Sequence, residues 1–129
     1  MNRGLQLRAG RALSGAPPSA IPEIIPLVMP LLKSDRENDR FVAAQVLGDY
    51  GPAARVAVPD LLPLLEGTQY ERNRAAAAKA LGQILTGADP CEEADKVTAA
   101  LLASLNDPYI DVRREALDAF GKMGQAAKA

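Results

Sequence analysis

Apolar residues recur along this chain at helical spacing. Ala43, Val46, Leu47 and Tyr50 fall at i, i+3, i+4 and i+7; so do Ala77, Ala80, Leu81 and Ile84, and again Ala116, Ala119, Phe120 and Met123. Each set is one apolar stripe, predicted to bury against a neighbouring helix. Beside it runs a second column: Arg40, Ala44, Gly48, then Arg74, Ala78, Gly82, then Arg113, Leu117, Gly121. Segments 40–48, 74–82 and 113–121 superpose without gaps, their glycines 34 and 39 residues apart. Glycine inside a helix costs about 1 kcal/mol relative to alanine, so its return at one position points to close packing or a bend.

Another unit alternates with these. Residues 21–28 (IPEIIPLV) match residues 58–65 (VPDLLPLL) at a spacing of 37, and residues 97–105 are a looser third version. We term these proline-rich segments the A helices and the Arg-to-Gly segments the B helices. Residues 9–14 parallel residues 77–82 as a weak extra B copy. Helices are predicted near 2–14, 21–33, 36–50, 56–66, 70–86, 90–105 and 108–126. Asp89-Pro90-Cys91-Glu92 reads as a capped helix start, and Asn106-Asp107-Pro108 as an end and a new cap. Pro26, Pro30 and Pro63 each remove a helical hydrogen bond, which predicts bent or partly 3₁₀ A helices with the prolines facing solvent.

The Arg–Gly pattern resembles the HEAT-repeat family, within it the short bacterial HEAT-like repeats also found in phycobilisome lyases. The motif is an acid or Asn near the Arg, two residues, Ala, two residues, then Ala-Leu-Gly or a variant, as in Asp111-Val112-Arg113 with Ala116, Ala119, Phe120 and Gly121. The resemblance covers about residues 20–126. It implies an all-α fold, a right-handed α-solenoid of the armadillo/HEAT type with A helices outside and B helices on the concave side. The organisation expected is a partial repeat or cap at 1–20, then a repeat domain over 21–129 with repeats at about 21–51, 56–86 and 90–126. Such proteins mostly bind other proteins.

Composition narrows the chemistry. The chain has 129 residues, no His and one Cys. That removes the usual general base, the commonest metal ligand, an internal disulfide and any multi-cysteine zinc site. No catalytic residue, cofactor or metal site is expected. Charge is nearly balanced, 15 basic against 16 acidic residues, which argues against a nucleic-acid binder. No apolar run approaches a membrane span. The first acid is Glu23, after Arg3, Arg8 and Arg11. Such a start suits an organelle transit peptide or a short helix and loop; a cytoplasmic protein is the expectation.

Interaction is therefore the expected function. The third B-helix column projects away from the A helices and varies in type: Phe41, Gln45, Asp49, then Ala75, Lys79, Gln83, then Arg114, Asp118, Lys122. Its members other than Ala75 are the candidate partner-binding residues. Phe41 is either an interface anchor or packs on an adjoining repeat. The arginines 40, 74 and 113 either bind an acidic ligand or form an internal ladder through Asp39, Glu71 or Asp111, broken where Asn73 replaces the acid. The partner would be another protein, or a second copy through an uncapped solenoid end. The resemblance also leaves open a lyase-type accessory factor handling a bilin, although Cys91 lies among acids that disfavour a thiolate.

Overall fold

The computed structural model describes residues 7–86 and 92–127, side chains excepted at 7–9, 92 and 125–127. Among them the only regular structure is helical. The α-helices are α1 (Leu7–Ser14), α2 (Ile21–Val28), α3 (Glu37–Tyr50), α4 (Val58–Leu61), α5 (Glu71–Ile84), α6 (Glu92–Ser104) and α7 (Ile110–Ala127). Short 3₁₀ segments extend the A layer at Met29–Lys33, Gly51–Ala57 and Leu62–Leu65. No described helix is long and apolar enough to cross a membrane.

Two layers result. In one, α1, α3, α5 and α7 lie side by side, each packed on the next; in the other, the proline-rich segments and α6 back onto them. The interior between the layers is filled by Leu47, Leu61, Leu64, Leu81, Ile84 and Leu101, all fully buried. Each such side chain contributes about 1.5–3 kcal/mol relative to exposure. This is the all-α solenoid expected from the sequence.

The A segments behave as their prolines dictate. Pro22 and Pro59 sit in first turns, where the missing N–H is harmless. Pro22, Pro26, Pro30, Pro59 and Pro63 are all exposed. The sequence match between the two segments does not carry through to burial. Leu27 and Leu64 correspond at that spacing, yet Leu27 is 75 % exposed and Leu64 is 2 %. The buried faces are offset by one residue from the sequence match. The first segment, α-helical to Val28 and 3₁₀ from Met29 to Lys33, buries Ile25, Val28 and Leu32. The second, α-helical only over Val58–Leu61 and 3₁₀ on either side, buries Leu61 and Leu64, which stand 36 residues after Ile25 and Val28. Between the layers Gly51 turns the chain at φ +66°, a conformation that glycine adopts without strain.

The glycine column sets how closely the B helices approach. A Cβ placed on Gly48 would fall 2.9 Å from the Ala80 Cα, and on Gly82 2.6 Å from the Ala119 Cα. Both are backbone contacts that cannot yield. A Cβ on Gly121 would meet nothing within 4 Å among the described residues.

The B-helix groove and the arginine ladder

The arginines 40, 74 and 113 form an internal ladder, but not through the acids expected. Each donates from Nη1 to a carbonyl in the loop just before its own helix: Arg40 to Ser34 (2.6 Å), Arg74 to Gln69, and Arg113 to Asp107 (2.6 Å). The side chain of that same loop residue is then taken by the preceding arginine. Arg40 Nε donates to Gln69 Oε1 at 3.2 Å, and Arg74 grips the Asp107 carboxylate through Nε (2.6 Å) and Nη2 (3.0 Å).

Gln69 and Asp107 thus each serve two arginines. Asp39, Glu71 and Asp111 do not supply these links. Buried Asp39 accepts from the Ser34 hydroxyl (2.7 Å), Glu71 is exposed, and Asp111 pairs with Arg114 (3.6 Å). Asn73 does not break the ladder either. It is fully buried and donates to the Glu37 carbonyl (3.2 Å), tying α5 to α3.

The Arg74–Asp107 pair is nearly dry, 6 % and 8 % exposed. The side-chain hydrogen bond from Arg74 is the main reason the Asp107 carboxyl is held below the usual carboxylate range, against the opposing effect of burial. The same bond pushes Arg74 above its ordinary value. Asp107 Oδ1 also accepts the Tyr109 amide at 3.0 Å, an Asx turn that leads into α7 without reaching the amides of its first turn.

The outer face of the B layer carries a groove of about 770 Å³ running across α1, α3, α5 and α7. Phe41, Gln45 and Asp49 line it from α3, Lys79 and Gln83 from α5. From α7 the lining residues are Asp111 and Glu115; Arg114, Asp118 and Lys122 lie outside it. Asp118 and Lys122 pair with each other at 3.0 Å. Glu115 was not singled out from sequence; it occupies the position of Val42 in α3 and Ala76 in α5, both buried and uncharged.

Phe41 is half-buried against the core rather than standing free. The Arg72 guanidinium covers its ring, 4.2 Å from the centroid, and is itself fixed by Glu37 (3.2 Å) and Asn38 (3.3 Å). Among the described residues, Asp49, Lys79 and Glu115 form no ion pair. The basic groove residues, Arg11, Arg72 and Lys79, are outnumbered by Asp49, Glu71, Asp111 and Glu115, so the described residues lay no basic track for a phosphate backbone.

Tyr50 anchors the first helix. Its hydroxyl donates to the Leu13 carbonyl at 2.6 Å, and burial, helped by Asp49, pushes its pKa up. No group of three or more potential metal ligands occurs among the described residues. Cys91 and the Asp89-Pro90 cap lie outside them, whereas Glu93 of the same acidic cluster pairs with Arg55 at 3.4 Å.

Comparison with known proteins agrees with this geometry. A family profile of HEAT repeats matches residues 1–82. The match takes in the N-terminal copy and ends at Gly82, although the packing continues through Gly82 to Ala119. No curated protein and no solved structure matches the chain. With a stacked helix-pair architecture, a glycine column at the helix crossings and a profile match over more than half its length, the chain belongs to the HEAT repeat family.

Proposed function

We propose that this chain is a non-catalytic adaptor that takes a segment of another protein along the B-layer groove, in keeping with the HEAT repeats' general use as protein-interaction scaffolds. One observation carries the reading. The groove is bordered by Asp49, Lys79 and Glu115, charges of both signs that no described neighbour neutralises. A peptide with complementary charges and an apolar residue beside Phe41 and Val42 would satisfy them. Charge of this kind sets specificity and encounter rate more than raw affinity.

The test is affinity capture from the native host with the wild-type chain and with a Lys79→Glu, Asp49→Lys variant. Both residues are exposed, so the melting temperature should stay within about 2 °C. The expected result is a protein retained by the wild type and lost with the variant. Retention of the same proteins by both would refute the groove as the binding surface.

A further inference from the structure

Ser34, Thr68 and Asp107 each stand six residues before a ladder arginine. The first and third use their side chains. Ser34 Oγ donates to Asp39 at 2.7 Å and accepts the Arg36 amide at 3.1 Å; Asp107 accepts from Arg74 and from the Tyr109 amide. Thr68 is exposed, and its hydroxyl has no partner among the described residues. Asn73, the counterpart of Asp39, keeps a buried Oδ1 to which no described group donates. The cause is a slip of one residue in the middle loop. Arg74 takes the carbonyl of Gln69, five residues before it, where Arg40 and Arg113 reach back six. Gln69 therefore also makes the rung to Arg40, by one neutral bond of 3.2 Å, and Thr68 stands outside it.

Thr68 lines a pocket of about 410 Å³ together with Arg40, Lys33, Asp35 and Asp60. Asp60 already pairs with Lys33 at 3.7 Å, and Asp35 is exposed to solvent that screens it. The loop is open on its outer side. A Cβ on Gly67 would meet nothing within 4 Å among the described residues, and Glu66 and Tyr70 are extended, with ψ of 147° and 146°.

We propose that Thr68 is a phosphorylation site and that its phosphate takes Arg40 away from Gln69. A protein kinase transfers the γ-phosphoryl group of a nucleoside triphosphate. The Oγ1–P bond forms, the bond from that phosphorus to the β–γ bridging oxygen breaks, the hydroxyl proton goes to the kinase's base, and the nucleoside diphosphate leaves. The product carries a charge of about −1.5 to −2 near neutral pH. It does so at the sequence position from which Asp107 serves Arg74. Charge-assisted pairs with a guanidinium are roughly twice as strong as neutral bonds, so Arg40 exchanges its partner. The tie between α3 and α5 then becomes charged, like the one between α5 and α7, whatever the groove holds.

The test reads both the modification and the contact. Protein isolated from growing and from starved cells of the native host is digested with trypsin, and the peptide 56–72 is sequenced by mass spectrometry. Phosphate is expected on Thr68 and not on Tyr70 of the same peptide. The full chain with phosphothreonine encoded at position 68 is expected to melt about 3 °C higher than the unmodified chain. In ³¹P NMR its second phosphate ionisation should fall from about 6 to about 5.5. Arg40→Gln should cancel both changes, each measured against the unmodified Arg40→Gln chain. An ordinary phosphate ionisation in the folded wild-type chain would overturn the contact, even if Arg40→Gln fails to fold. So would a lowered ionisation that survives Arg40→Gln. Host protein with no phosphate on Thr68, or with phosphate on Tyr70 alone, would overturn the site.

Discussion

Arg74 and Asp107 are 33 residues apart in sequence and closed on each other by two hydrogen bonds, at 2.6 and 3.0 Å, with both side chains more than nine-tenths buried. The pair holds α5 to the loop that launches α7. Removing one partner strands a buried charge, which costs about 3–5 kcal/mol. Arg74→Ala is therefore expected to lower stability by that amount in urea melts. A double substitution to apolar residues of similar volume should recover much of the loss.

The same pair makes folding sensitive to acid. Arg74 stays charged at all accessible pH values, so the titrating partner is Asp107. Its folded pKa lies below the unfolded value of about 3.9, so the stabilisation is complete above that pH and is lost as pH falls through the folded value. Stability should drop below about pH 4. Asp107→Asn, less stable at pH 7, should show a flatter profile between about pH 4 and pH 2. Equal slopes in chemical denaturation would count against this assignment.

Glycines at matching positions of α5 and α7 should respond with opposite sign. Gly82→Ala drives a methyl into the Ala119 backbone and is expected to cost about 1–3 kcal/mol. Gly121→Ala meets nothing among the described residues and gains helix propensity, stabilising by up to about 1 kcal/mol. Thermal melts of the two variants decide the matter.

Tyr50→Phe leaves the Leu13 carbonyl without its donor. A loss of about 1 kcal/mol is expected, concentrated in α1 and visible as faster amide exchange there than in α5. Absorbance titration should place Tyr50 ionisation above that of an exposed tyrosine, because burial disfavours the phenolate.

Phe41→Ala removes a half-buried ring and the platform under Arg72. Cation–π contacts contribute about 0.5–1 kcal/mol at exposed sites, and the lost packing adds to that. The variant should lose about 1–3 kcal/mol with its helicity intact at room temperature. It therefore reports on the α3–α5 joint as much as on any groove ligand.

The B helices could be read directly from sequence because three copies repeat in register and the apolar stripe has one period throughout. The A segments could not be read to the same depth. Their prolines convert part of each helix to 3₁₀, and the buried faces of the two segments coincide at a spacing of 36 rather than the 37 of the sequence match, so Leu64 lies inside where Leu27 stays out. The ladder was visible only as arginines. Its partners, Gln69 and Asp107, differ in chemical type and sit in loops, with no fixed residue to align. Of the candidate surface, Phe41, Gln45, Asp49, Lys79 and Gln83 border the groove, while Arg114, Asp118 and Lys122 lie outside it on α7.

The two complete rungs differ in strength. Arg40 holds the neutral Gln69 by one bond of 3.2 Å, and Arg74 holds a carboxylate by two shorter ones. Charge-assisted bidentate contacts are roughly twice as strong as neutral ones. The two joints are therefore built differently. Between α5 and α7 the polar tie is one nearly dry charged pair; between α3 and α5 it is divided among Arg40–Gln69, Asn73–Glu37 and the contacts of Arg72 with Glu37, Asn38 and Phe41. A load along the stack is expected to loosen the second joint bond by bond and the first in a single step.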